Sequence, residues 1–111
     1  MVLANENMKI DITDPKNELI PGFKGTFIHG NGFTAAYWQV EKGSILPEHH
    51  HVHEQLTQVT EGEFELVVGG VKHLCKPEAV ILIPSEVPHS GIALTDCKIT
   101  DIFCPGRPEY K

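Results

Sequence analysis

Proline and glycine punctuate this chain at short intervals, 8 and 10 of them in 111 residues. They cut it into short pieces that suit β-strands and leave little room for helices. The strand candidates are Phe23 to His29, Thr34 to Glu41, Val52 to Thr60, Phe64 to Val68 and Val71 to Lys76. Ala79 to Ile83, Ser90 to Thr95 and Cys97 to Cys104 follow. Glu61-Gly62 and Gly69-Gly70 separate apolar runs, where tight hairpin turns are expected. A helical turn fits Pro15 to Leu19. Many short strands joined by regular turns mean an all-β sandwich or barrel. The length suits one domain, and no repeat, linker or low-complexity stretch divides it, so residues 1–111 are read as a single unit.

Nine basic side chains stand against fifteen acidic ones, a formal charge of −6. The cations are scattered singly, which argues against nucleic acid and against anionic membranes as partners, since both need clustered cations. A small anionic ligand stays compatible, because a local cation or metal outvotes the overall charge. No apolar run approaches the ~20 residues that span a bilayer. Met1 to Asp11 has neither a basic nor an apolar signal region, so the expected location is the cytoplasm. Cys75, Cys97 and Cys104 form an odd set without CxxC spacing and read as free buried thiols.

Seven histidines are present, and four of them, His49, His50, His51 and His53, fall within five residues. If this stretch were one strand, His49, His51, His53 and Gln55 would share a face. Residues two apart on a strand lie roughly 6.5–7 Å from each other, close enough for two imidazoles to meet at one ion. A solvated polar edge is the plain alternative, but surface histidines do not usually arrive in fours at period two. His89, after the turn Pro84-Ser85-Glu86-Val87-Pro88, is a further ligand candidate from a neighbouring strand.

Gly43-x5-His49-x-His51-x3-Gln55-x6-Gly62 resembles the first cupin motif, G-x5-H-x-H-x3-4-E-x6-G. Pro84 to His89 resembles the second motif around its metal-binding histidine, with Pro77 and Glu86 in place of its usual glycines and Ala93 where asparagine is common. The resemblance runs from about residue 33 to 104 and implies the cupin double-stranded β-helix, a jelly-roll barrel. It also implies one divalent ion, and imidazole ligands suit Zn, Ni, Fe, Mn or Cu. Gln55 stands where many cupins have glutamate. Three neutral imidazoles and a neutral amide leave the ion's +2 charge uncompensated, which favours an anionic substrate. A bulge that turned Glu54 inward would restore an anionic ligand. His53 has the parity of a ligand too and is placed behind the ligands or at the pocket wall.

Along Cys97 to Cys104, Asp101 shares the face that Cys97, Ile99 and Phe103 mark as internal. A buried carboxylate is costly unless it is paired or put to use. Arg107, the only arginine, follows six residues later and can grip a carboxylate bidentately. A plain Asp101–Arg107 ion pair is the alternative. Together with the His-x-His-x-His-Glu-Gln string at 49–55, the hairpin Thr60-Glu61-Gly62-Glu63 and the Asp101-x-Phe103-x-Pro105-x-Arg107 tail, the set resembles the pectin-degradation KdgF branch of small cupins. That resemblance implies metal ligands at His49, His51, Gln55 and His89. It implies catalytic and substrate-binding roles for Asp101, Phe103 and Arg107. The implied reaction opens a 4,5-unsaturated uronate, a small anionic sugar, to a linear keto acid. Pro108 follows the arginine where that family often has an acidic residue. A metal-dependent dioxygenase and a non-enzymatic metabolite-binding module are the alternative functions. A homodimer is expected, with Met8 to Ile12 as a strand suited to crossing between subunits.

Overall fold

The computed structural model describes residues 8–110. Ten strands are present among them: β1 (Asn17–Ile20), β2 (Phe23–His29), β3 (Thr34–Val40), β4 (Ile45–His49), β5 (Glu54–Glu61), β6 (Phe64–Val68), β7 (Val71–Cys75), β8 (Val80–Ile83), β9 (His89–Ala93) and β10 (Cys97–Cys104). They form two antiparallel sheets, β1-β2-β3-β10-β5-β8 and β4-β9-β6-β7. The all-β jelly-roll expectation is met. No helix among the described residues is long and apolar enough to cross a membrane.

Alternation fixes the faces. Cys97, Ile99, Asp101 and Phe103 of β10 are buried, while Lys98, Ile102 and Cys104 are exposed. Gln55, Thr57 and Val59 of β5 are likewise buried. A one-residue slip would turn every one of these side chains to the other face, so the apolar set specifies the register. The core packs Phe23, Trp38, Val40, Val59, Phe64, Leu66, Ile99 and Phe103 between the sheets. Phe23 meets Trp38 and Phe64 edge-on, with centroids 6.2 and 6.3 Å apart. Burying each such ring contributes about 1.5–3 kcal/mol. Gly25 lies opposite Trp38 on β2, where an added Cβ would come 2.9 Å from the indole. The missing side chain leaves room there for the indole and for the Phe27 ring, which an added Cβ would approach equally closely.

Several expectations change. Pro15 to Leu19 makes no helical turn: Asn17–Ile20 pairs with β2 as an edge strand. Met8 to Ile12 forms no strand within the chain. The strand expected to begin at Val52 begins at Glu54, and Ile45–His49 adds a strand of its own, β4. Pro47 hides that strand in the sequence. It is tolerated because β4 is an edge strand, with an irregularity between Leu46 and His49. Gly69-Gly70, at φ 55° and 80°, closes the β6–β7 hairpin with Val68 opposite Val71. Glu61-Gly62 is no hairpin, because β5 and β6 belong to different sheets and the chain changes sheet there. Cys75 and Cys97 are buried free thiols, while the Cys104 thiol is free but exposed, on the outer face of β10.

Candidate functional site

The expected parity of the histidines does not hold, yet the side chains meet. His49 ends β4 of the four-stranded sheet, His51 and His53 lie on the connection that crosses between sheets, and Gln55 is the second residue of β5 in the six-stranded sheet. Strand pairing aligns His49 directly with His89 of β9. The Glu86 N–H donates to the His51 carbonyl at 2.7 Å and ties the turn before His89 to the crossing segment. The imidazoles therefore converge from three backbone segments. Ring centroids are 4.2 Å apart for His49–His89, 5.0 Å for His51–His89 and 5.6 Å for His49–His51.

Each of these rings is oriented by the backbone. Nδ1 of His49 donates to the Pro47 carbonyl at 2.8 Å, that of His51 to the His53 carbonyl at 2.9 Å, and that of His89 to the Val87 carbonyl at 2.9 Å. A carbonyl only accepts, so all three rings carry their proton on Nδ1 and present an Nε2 lone pair. The three rings offer ligand nitrogens that lie within 4.8 Å of one another. His89 Nε2 is buried with no hydrogen-bond partner, a rare state for a polar atom. Burial also lowers the His89 pKa to about 4, which keeps the ring neutral and its lone pair available. His51 is shifted the same way, first by burial and then by the Arg107 charge.

Gln55 points inward and is 6% exposed, whereas Glu54 faces outward and is exposed. The Gln55 amide nitrogen donates to Thr57 Oγ1 at 2.9 Å and to Asp101 Oδ1 at 3.1 Å. That fixes the amide orientation and leaves its oxygen 3.0 Å from His51 Nε2. With the His51 proton on Nδ1, two lone pairs face each other there, an arrangement that a shared proton or a bound cation relieves. The donor set of His49, His51, His89 and Gln55 thus fits a borderline divalent ion.

Below Gln55 lies Asp101, on the internal face of β10 and buried at 8% exposure. It accepts from Thr57 Oγ1 at 2.6 Å, from Gln55 and, through Oδ2, from Trp38 Nε1 at 2.9 Å. Burial raises its pKa, and the three donors and then Arg107 oppose that shift. No Asp101–Arg107 ion pair forms. Arg107 Nε instead donates to Glu109 at 3.1 Å, and its guanidinium stacks over Phe103 and Tyr110, 5.0 and 4.2 Å from their centroids. Glu109 thus supplies the acidic neighbour, one residue beyond Pro108. His53 is not one of the converging ligands; its ring packs edge-on against Phe103 with centroids 6.3 Å apart.

His49, Gln55, Asp101, Phe103, Arg107 and Tyr110 are among the residues that line one cavity of about 300 Å³. A model of the cupin domain matches residues 36–103, more than half of the chain. The chain belongs to the cupin family. This cupin is 30% identical over 105 residues to the pectin degradation protein KdgF of Dickeya dadantii (strain 3937), covering 91% of this chain and 94% of that one. The solved structure of KdgF from Halomonas sp. superposes with a TM-score of 0.81 at 26% identity over 92% of each chain. Salicylate 1,2-dioxygenase from Pseudoaminobacter salicylatoxidans matches with a TM-score of 0.74 at 18% identity, over 78% of this chain and 27% of that one, a likeness of fold alone.

The departures from the second cupin motif have a backbone consequence. Glu86 adopts φ 66°, the left-handed region that favours glycine. Among the described residues, the other non-glycine position with positive φ is Glu78 at 74°, one residue past Pro77. Sequence reasoning missed Trp38, Thr57 and Tyr110. Thr57 and Trp38 were within reach of period-two alternation from Gln55 and along β3. Tyr110 carries no such signal, since it follows the last strand.

Proposed function

We propose that this cupin opens a 4,5-unsaturated uronate, or a similar small carboxylated sugar, to its linear keto form. The observation that carries the reading is the single cavity lined at once by ligand histidine, Gln55, a buried carboxyl and the only arginine. The relationship to KdgF proteins named for pectin degradation supports the substrate class. His49, His51, Gln55 and His89 would hold one divalent ion, Zn, Ni, Fe, Mn or Cu. When bound, such an ion supplies Lewis acidity to a substrate oxygen.

The chain's own residues do the rest. Arg107 binds the substrate carboxylate through its Nη amines, since Nε is engaged by Glu109. Phe103 packs against the sugar ring. Asp101 accepts the proton of the anomeric hydroxyl as that carbon becomes an aldehyde and its bond to the ring oxygen breaks. The electron pair stays on that oxygen as an enolate at C5. Asp101 then returns the proton to C4, giving the 5-ketone with no atom gained or lost. A carboxyl whose pKa is raised by burial suits such a two-way transfer.

The test is the loss of absorbance of an unsaturated galacturonate on adding metal-loaded protein. Turnover well above the buffer rate is expected. A rate no faster than buffer overturns the uronate reading. Oxygen uptake with an aromatic acid would point to the dioxygenase chemistry instead. Tight binding of the sugar without turnover would point to a metabolite-binding module.

A further inference from the structure

We infer that Tyr110 is a positioning residue of this site, holding the Arg107 guanidinium in the cavity for a ligand carboxylate. The inference rests on the proposed role of Arg107. Arg107 is only 14% exposed although it pairs with a glutamate that is 53% exposed. What buries it is aromatic: Tyr110 lies 4.2 Å and Phe103 5.0 Å from its Cζ. A guanidinium is favoured over such ring faces, more so when partly desolvated. Burial pushes the Tyr110 hydroxyl up to about 12, so it stays neutral and does not cancel the arginine's charge.

Tyr110 is itself held from several sides. Its ring packs on Phe27, Phe103 and Trp38 at 4.9, 5.5 and 6.0 Å. His29 Nε2 hydrogen-bonds its carbonyl oxygen, and its N–H donates to the Arg107 carbonyl at 3.0 Å. The Arg107 N–H donates to Thr34 Oγ1 at 2.7 Å, which ties the segment to β3. Trp38, under the Tyr110 ring, is also the donor to Asp101. One aromatic side chain therefore braces both the cation and the support of the buried carboxyl.

Tyr110→Ala and Tyr110→Phe test this. Because the chain has a single arginine, its Nε–H gives one assignable NMR signal. In Tyr110→Ala that signal should move toward the free-arginine position and exchange faster with water, while Tyr110→Phe should keep it near the wild-type position. On an unsaturated uronate, KM should rise about tenfold in Tyr110→Ala with kcat within a few-fold, and Tyr110→Phe should recover most of the loss. Binding of galacturonate, a saturated sugar acid, followed by calorimetry should weaken by the same factor. An unchanged Nε–H signal in Tyr110→Ala overturns the inference. So does a parallel fall of kcat and bound metal that Tyr110→Phe fails to rescue, or no galacturonate binding to the wild type. If signal and binding respond as expected but the wild type opens no unsaturated sugar, the uronate reading falls and Tyr110's role stands.

Discussion

Replacing Gln55 with glutamate restores the residue common at this motif position, and the geometry says that it should harm this chain. The Gln55 amide nitrogen is a donor to the Asp101 carboxylate at 3.1 Å and to Thr57 at 2.9 Å. A carboxylate at position 55 removes both donors and sets two like charges about 3 Å apart. At an effective dielectric of 20, that repulsion is about 5 kcal/mol. The pair has a cheaper escape, which is to share one proton. Protonating a glutamate of ordinary pKa near 4.3 at pH 7 costs at most about 3.7 kcal/mol, and part of that returns as the carboxyl–carboxylate hydrogen bond. The expected destabilisation of metal-free Gln55→Glu is therefore about 2–4 kcal/mol, a Tm lower by roughly 10–20 °C. The sign with pH follows. The added carboxyl would have a higher pKa folded than unfolded, so the folded variant binds more protons and its deficit should grow from pH 5 to pH 8. Adding Asp101→Asn to Gln55→Glu removes the opposing charge and should recover at least half of the loss, a coupling readable in a double-mutant cycle. The assay is thermal unfolding of the chelator-treated proteins at several pH values. A Gln55→Glu protein as stable as wild type at pH 7, or a double variant with no recovery, refutes the reasoning.

Replacing His49 and His51 together with Ala should abolish bound divalent metal, measured by elemental analysis, while the circular dichroism spectrum stays that of a β-barrel. Full metal occupancy in that variant would remove the site. Asp101→Asn should keep metal and slow uronate opening by about 10²–10⁴, the usual worth of a positioned proton carrier. It should also lower Tm by several degrees, since an amide nitrogen must then face one of three donors. The expected homodimer is tested on the outer face of the six-stranded sheet. There Ile28, Ala35, Ile102, Leu56 and Leu82 stand side by side across five strands, and Leu56 and Leu82 are 40% and 56% exposed. An uncharged row suits an isologous contact between copies, so Leu82→Glu should leave a monomer in sedimentation. Unchanged mass would place any pairing elsewhere.

The internal face of β10 was legible residue by residue, because period-two alternation survives wherever a strand is continuous and one face is apolar. Asp101 was placed correctly for that reason. The histidine cluster was found for a different reason from the one that makes it work. Parity treated residues 49–55 as one strand, but the chain leaves the four-stranded sheet at His49 and enters the other at Glu54. The rings converge because His49 is cross-strand partner to His89 and because His51 sits on the crossing. Sheet pairing is long-range and leaves no local trace. Tyr110 was invisible on the same grounds, since its partners Phe27 and Trp38 are more than seventy residues away in the chain. Pro47 pointed away from a strand that exists, because an edge position forgives a missing N–H.

Asp101 is the one buried acidic side chain among the described residues, and its placement gives the site its logic. In a ligand set with glutamate, the anion touches the ion and directly reduces its charge. Here the carboxylate of Asp101 stands one amide behind, and Gln55 lies between it and the imidazoles. The amide dipole is aligned by that carboxylate, nitrogen toward Asp101 and oxygen toward the histidines. Asp101 therefore strengthens Gln55 as an oxygen donor without delivering a full charge to the same point. The histidine protons are fixed by backbone carbonyls alone, so nothing else in the immediate set is anionic. A cation held there keeps most of its charge for an anionic ligand, and the neighbouring Arg107 adds a second positive group in the same cavity. In a chain of net charge −6, a small anion bound under the proposed function would meet two positive centres here at once. The Asp101 oxygen that aligns Gln55 is Oδ1, which Thr57 also holds, while Oδ2 accepts from Trp38, so the amide's orientation rests on one oxygen of that carboxyl.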